Sequence, residues 1–145
     1  MLIRLIVPGE HARVEDLNAS LEAVLARHCV APGVRDDVRL IVEELASNAI
    51  EHGVDGEAAV GQNELSVDIG IHGGLLTLHF RDDGAPFDPT SVPPPDLDAD
   101  IDERPIGGLG LHLIRQLAEE ISYRREAGFN LLKVSLRIPT PEEQA

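Results

Sequence analysis

Three polar side chains recur at helical spacing within residues 43–53, whose sequence is EELASNAIEHG. Glu44, Asn48 and His52 lie at i, i+4 and i+8, so a helix would align them along one face. The amide oxygen of Asn48 is a ligand that Mg²⁺ accepts, because this ion prefers hard oxygen donors. The carboxylate of Glu44, one turn away, can orient or deprotonate an attacking hydroxyl or water. Taken alone, the pattern is more typical of a solvated helix face, because charged and polar residues normally gather there.

A second motif, Arg81-Asp82-Asp83-Gly84, ends a predicted strand. A carboxylate at a strand end, here Asp82, can accept a hydrogen bond from an exocyclic amine such as the adenine amino group. Gly84 lets the backbone approach a ring closely, because it has no side chain. The alternative for this motif is a simple Asp-Gly turn.

The third motif is glycine-rich and opens an amphipathic helix; residues 106–114 read IGGLGLHLI. Free N–H groups at a helix N-terminus form a phosphate-binding site. The alternative is a flexible hinge followed by a helix. The glycines are not followed by Lys-Ser or Lys-Thr, so the motif is not a Walker A loop, and the surrounding elements do not suit a dinucleotide-binding unit.

Composition narrows the classes of partner. The 145 residues include 26 acidic and 12 basic side chains, a formal net charge of −14. Such a surface repels phosphate backbones and anionic lipids, which argues against direct binding to nucleic acid or membranes and favours a protein partner with a basic face. The sequence contains no apolar stretch of membrane-spanning length and no signal peptide, so we expect a cytoplasmic protein. The single cysteine, Cys29, ends an apolar helical pattern and is expected to be buried.

Hydrophobic periodicity predicts three helices and five strands. Gly73-Gly74 is a hairpin turn signal between the second and third strands. A long segment rich in proline and aspartate, residues 83–105, has neither period and is interpreted as a loosely anchored lid. The whole chain is predicted to be one α+β domain, a two-layer sandwich with helices on one face of a mixed β-sheet. The predicted strands are 2–7, 65–71, 76–81, 121–125 and 130–138, and the predicted helices are 14–29, 34–52 and 110–120.

The order and spacing of the three motifs resemble those of the gyrase/histidine-kinase/MutL (GHKL) ATPase superfamily over residues 14–138. Within this superfamily, the sequences around the motifs are most similar to those of the anti-sigma-factor serine/threonine kinases of bacteria. That similarity includes residues 47–53, Phe87-Asp88-Pro89 and residues 107–111.

The resemblance implies ATP and Mg²⁺ as ligands. It implies that Glu44 is the catalytic base and that Asn48 binds both the metal and the nucleotide. Arg104 becomes the candidate to approach the terminal phosphate, and Asn130 stands where many relatives have a threonine near adenine. The other residues expected to bind the cofactor are His52, Asp82, Gly84, Gly108, Leu109, Gly110 and Leu111.

The resemblance also implies a function, an ATP-dependent serine/threonine protein kinase that acts as an anti-sigma regulatory factor. Its expected substrate is a small anti-anti-sigma partner of the STAS type, with a sigma factor as a second ligand and a homodimer as the common assembly. One departure concerns the sigma factor, because Asn18 occupies the region where those kinases usually carry an arginine. The alternative is a nucleotide-binding module that sequesters a regulator without phosphorylating it. A third possibility, a catalytic domain detached from a histidine kinase, agrees less well with the short lid and with the sequences of the motifs.

Overall fold

The computed structural model describes residues 2–53, 64–91 and 108–139, without the side chains of 52, 53 and 108–110. All eight predicted elements are present, and both ends of each lie within three residues of the prediction. In chain order they are β1 (Ile3–Pro8), α1 (His11–Arg27), α2 (Pro32–Gly53), β2 (Glu64–His72), β3 (Leu75–Asp82), a short 3₁₀ helix (Pro89–Ser91), α3 (Gly108–Leu117), β4 (Glu120–Glu126) and β5 (Phe129–Arg137).

The five strands form one sheet in the order β1-β2-β3-β5-β4. Every pairing in it is antiparallel, so the expectation of a mixed sheet is wrong. The cause is the position of β5. Helix α3 crosses over between β3 and β4, and these two strands do run in the same direction, because each is antiparallel to β5. Strand β5 lies between β3 and β4, so these two strands do not pair with each other and no parallel pairing forms.

The helices cover one face of the sheet, which confirms the two-layer α+β arrangement. Strands β2 and β3 alternate buried and more accessible residues, as expected when only one face packs on a core. The core joins the apolar stripes of the helices to that face; its largest fully buried side chains are Leu17, Leu21, Leu25, Ile41, Leu65, Ile69, Leu76, Leu78 and Ile114. No helix in the described ranges is long and apolar enough to cross a membrane.

Cys29 does not take the buried place expected for it. Helix α1 ends at Arg27, and Cys29 follows with a left-handed φ of 61° and an exposed side chain. The N–H of Cys29 donates to the carbonyl of Ala26, and the N–H of Val30 donates to the carbonyl of Leu25, both at 3.0 Å. These two bonds form a Schellman motif, in which the left-handed residue points outwards and the next one, Val30, is buried.

The first part of the predicted lid is anchored, contrary to the expectation of a loose loop from residue 83 onwards. Asp88 Oδ1 accepts the backbone N–H of Thr90 at 2.8 Å, and Pro89 is buried. Arg115 of α3 donates to the carbonyls of Pro89 and Thr90. The anchors are a turn, one buried proline and one arginine from a distant helix, which a search for helical or strand period cannot detect. Residues 92–105 of the predicted lid lie outside the described residues.

Candidate functional site

Helix α2 presents the predicted base, Glu44, at a half-buried position. Burial raises the pKa of the Glu44 carboxyl above its ordinary 4.5, and the negative charges of Glu43 and Glu51 raise it further. The carboxyl makes no hydrogen bond or ion pair with any other described residue. A carboxylate with a raised pKa and no competing partner is a suitable proton acceptor.

Asn48 lies one turn further along the same face of α2 and is only 8% exposed. Its Nδ2 is buried and has no hydrogen-bond partner in the described part of the chain. Buried amides are normally bonded, because an unpaired polar group loses its hydration without compensation. Nδ2 is a donor and fits a ligand that offers an acceptor, whereas Oδ1, to which no described residue bonds, is the atom that could ligate Mg²⁺.

Asp82 lies at the end of β3, with one carboxylate oxygen occupied and the other not. Its Oδ1 accepts the backbone N–H of Gly84 and Nδ2 of Asn130, each at 3.0 Å. Its Oδ2 has no partner among the described residues. Burial raises the pKa of the Asp82 carboxyl, while the hydrogen bonds from Asn130 and Gly84 oppose that increase. Oδ2 is thus available as an acceptor for a donor such as an exocyclic amine.

Asn130 was expected to hydrogen-bond the nucleotide, and in the structure its amide hydrogen-bonds within the protein. Its Nδ2 donates to Asp82 Oδ1 and, at 2.9 Å, to the carbonyl of Ala85. Its Oδ1 accepts the hydroxyl of Tyr123 at 2.6 Å and the N–H of Phe87 at 3.3 Å. An asparagine amide has two donors and two main acceptor positions, so all four are used within the protein. In this arrangement, a direct bond from Asn130 to adenine would require one of these four bonds to break.

One small cavity joins the first two motifs. Asn48 lines it from α2 and Asp82 from β3, together with Asn130 of β5; Leu45, Ala49, Phe80, Ala85, Phe87, Pro89, Tyr123, Leu131 and Leu132 complete it. Its volume is about 30 Å³, enough for a water molecule and not for a purine ring. The polar atoms fit the amino edge of adenine, whereas the space must widen before the ring can enter.

The third motif lies where the sequence predicts it, at the start of a helix. Helix α3 begins at Gly108, so Gly108, Leu109, Gly110 and Leu111 form its first turn, whose backbone N–H groups have no acceptor within the helix. The side chain of Leu111 is buried in the core, which leaves only its N–H for a ligand. His52 is in the last turn of α2, with its side chain outside the described part. Arg104 lies entirely outside the described residues.

The sequence did not reveal the residues that hold this site together. Both come from β4: Tyr123 donates to Asn130 of β5, and Arg125 Nη1 donates to the carbonyl of Gly84, in the loop after β3, at 2.7 Å. One signal was available for Tyr123, which alternates with Ile121 on β4; both are half-buried. A half-buried tyrosine hydroxyl requires a polar partner, whereas Arg125 is exposed and gave no such signal.

Asn18 does not replace the expected arginine as a surface contact. It is 4% exposed, between α1 and α2. Its Nδ2 lies 3.5 Å from Glu43 Oε1, and its Oδ1 has no partner in the described ranges. A buried asparagine at this interface cannot present its side chain to another protein without a rearrangement of the two helices.

Comparison with known proteins agrees with this architecture. Residues 7–136 match the family of the histidine kinase-like ATPase domain. The chain is 26% identical over 134 residues to the serine-protein kinase RsbW of Listeria monocytogenes, which covers 90% of this chain and 83% of that one. It is 38% identical over 60 residues to the serine/threonine-protein kinase BtrW of Bordetella bronchiseptica, which covers 41% of this chain and less than half, 42%, of that one.

The fold is also similar to a solved structure. The crystal structure of the RsbU and RsbW domains of a Mycobacterium tuberculosis protein superposes with a TM-score of 0.66 at 18% identity, over 96% of this chain and 33% of that one. At that identity the likeness supports the fold alone. The family match spans most of the chain and all three motifs. The chain belongs to the family of histidine kinase-like ATPase domains.

Proposed function

We propose that this domain binds ATP with Mg²⁺ and transfers the terminal phosphate to a serine or threonine of a partner protein. The observation that carries the proposal is the pairing on α2 of a carboxylate whose pKa is raised, Glu44, with an unengaged amide one turn away, Asn48. A module that only bound nucleotide would have little use for a base beside the metal ligand.

Each residue would have a separate task. Asp82 would accept the adenine amino group through Oδ2, because its Oδ1 is already occupied. The first turn of α3 would direct its N–H groups towards phosphate oxygens. Asn48 would supply the protein ligand to Mg²⁺, an ion that usually takes its remaining ligands from phosphates and water. Glu44 would then accept the proton of the attacking hydroxyl.

These parts are sufficient for phosphoryl transfer, which depends mainly on positioning and charge neutralisation. Mg²⁺, when held by Asn48, would supply positive charge that offsets the negative charge of the phosphates. Arg104, just before the glycine motif, would approach the terminal phosphate. The remaining expected contact is His52, at the end of the α2 face that carries Glu44 and Asn48.

The partner we propose is a small anti-anti-sigma protein of the STAS type, phosphorylated on one serine or threonine, so that the domain acts as an anti-sigma regulatory factor. The names of the similar proteins, serine-protein kinase and serine/threonine-protein kinase, support this class. The net charge of −14 favours a partner with a basic face. A sigma factor as second ligand, a homodimeric assembly and a cytoplasmic location belong to the same proposal.

The test compares two substitutions on α2. Glu44→Gln keeps the size of the side chain and removes the base, so the variant should bind Mg·ATP normally and transfer phosphate at least about 10²-fold more slowly. Asn48→Ala should lose Mg²⁺-dependent nucleotide binding and transfer together. Binding is measured by calorimetry, and transfer by labelled ATP with STAS-type proteins encoded near this chain.

Glu51→Gln is the matched control, because it removes a carboxylate from the same helix at an exposed position. At neutral pH it should transfer phosphate like the wild type. Wild-type transfer rates in Glu44→Gln would show that Glu44 is not the base. A wild-type protein that binds its partner and nucleotide, yet never phosphorylates the partner, would favour the alternative, a nucleotide-binding module that sequesters a regulator.

A further inference from the structure

The loop after β3 is held by hydrogen bonds to Asn130, a side chain of β5. Asp82 and Asn130 face each other in register on β3 and β5. Through Asn130, the edge strand β4 also contacts this loop, because Tyr123 donates to the Asn130 amide oxygen. The same amide receives the N–H of Phe87 and donates to the carbonyl of Ala85. One buried side chain therefore joins three elements and the carboxylate of Asp82.

The four bonds also fix the orientation of the Asn130 amide. A tyrosine hydroxyl and a backbone N–H both require an acceptor, so Oδ1 must face Tyr123 and Phe87. Nδ2 must then face Asp82. An amide turned the other way would place donor against donor at Phe87.

That orientation determines which atom of Asp82 is free. Oδ1 receives two donors, Gly84 N and Asn130 Nδ2, and Oδ2 is left as an acceptor beside the cavity. An acceptor alone favours a base with an amino group at that edge and disfavours one with a carbonyl, because two acceptors facing each other leave both unpaired.

We propose that Asn130 is a positioning residue for base selection, which holds Asp82 so that Oδ2 alone faces the ligand and which does not itself touch the base. This inference rests on the proposed binding of ATP. It differs from the sequence-based expectation, in which the Asn130 amide bonds to the nucleotide. It also predicts that Tyr123 contributes indirectly to base selection, because its hydroxyl fixes the orientation of the Asn130 amide.

The experiment measures the affinities of Mg·ATP and Mg·ITP by calorimetry at pH 8. The two nucleotides differ along one edge of the base: ATP has an amino group beside an unprotonated N1, and ITP has a carbonyl beside an N1–H. The wild type should prefer ATP by about 10- to 100-fold, the value of one hydrogen bond to a charged acceptor. Asn130→Ala should lower ATP affinity by about 10-fold and leave ITP affinity nearly unchanged, so that most of the preference is lost.

Asn130→Asp is the isosteric second variant in case the alanine variant does not fold. It keeps an acceptor for Tyr123 and Phe87 and removes the donor to Asp82, so it should also lose the preference. Tyr123→Phe should lose part of it. The control is Arg115→Ala, which releases the same loop at Pro89 and Thr90 without contacting Asp82. It should change the two affinities equally and keep their ratio.

The outcomes separate the inference from the proposed function. A wild type that binds neither nucleotide contradicts the proposed function, whereas one that binds both equally contradicts base selection at Asp82 and leaves the proposed ATP-dependent transfer standing. A wild-type preference that survives in both Asn130 variants, but disappears in Asp82→Asn, overturns the positioning role. So does a loss of preference in Arg115→Ala as large as that in Asn130→Ala, because loop integrity alone would then explain the effect.

Discussion

Asn130 Nδ2 lies 3.0 Å from Asp82 Oδ1 across the β3–β5 register. The bond compensates only part of the cost of burying a carboxylate, since the pKa of Asp82 remains raised. A residue that destabilises the empty protein and is nevertheless held in one orientation is typical of a site that is arranged for a ligand.

The first prediction concerns the stability of Asp82→Asn. An asparagine can keep its oxygen towards Gly84 and Asn130 and place its amide nitrogen where Oδ2 was. The folded-state pKa of Asp82 lies above the ordinary 3.8, so the folded protein favours the protonated carboxyl. The contribution of Asp82 to the free energy of unfolding is therefore fully present at low pH and is lost as the pH rises through the folded-state pKa. The variant has no such loss. Its free energy of unfolding relative to the wild type should therefore increase from pH 4 to pH 7.

Urea denaturation at both pH values measures this difference, and calorimetry with Mg·ATP tests the accompanying loss of binding. Asp68→Asn is not a suitable control, because Asp68 pairs with Arg4; Glu119→Gln, at an exposed position between α3 and β4, is preferable. A variant that is less stable than the wild type by the same amount at both pH values would contradict the prediction.

The second prediction concerns the pH dependence of phosphate transfer. Glu44 must be ionised to act as the base, and its pKa is raised in part by the charge of Glu51. The rate should fall on the acid side with an apparent pKa above 4.5. Glu51→Gln removes one negative charge, stabilises the ionised form of Glu44 and should move this limb to lower pH. Single-turnover rates between pH 4.5 and 8 measure it; an unchanged or higher apparent pKa would contradict the assignment.

The third prediction concerns the C-terminus of α1. A non-glycine residue in the left-handed region costs about 1–2 kcal/mol, and glycine recovers part of that at the expense of a more flexible unfolded chain. Cys29→Gly should therefore raise the free energy of unfolding by about 0.5–1 kcal/mol. Cys29→Ala, which keeps the Cβ, should leave it nearly unchanged. Equal stabilities of the two variants in urea denaturation would exclude the strain at Cys29.

The sequence by itself was sufficient to predict the elements and the three motifs. Leu65, Val67 and Ile69 alternate with polar residues, and such a period of two predicts a half-buried strand wherever it occurs. Glu44 and Asn48 share a face because helical spacing alone requires it. Gly73 and Gly74 permit the positive φ values, 58° and 81°, of the tight hairpin turn observed there. Each of these features depends on residues close together in the chain.

Only the tertiary structure could decide the features that join distant segments. The position of β5 between β3 and β4 depends on which strands pair when the chain folds, and no local sequence pattern specifies that pairing. Asn130 acts with Asp82, 48 residues earlier in the chain. Whether an amide binds a ligand or its own protein depends on how many of its four hydrogen-bonding positions the fold has already filled. That number is a property of the packed neighbours, and a residue's type and spacing cannot specify it.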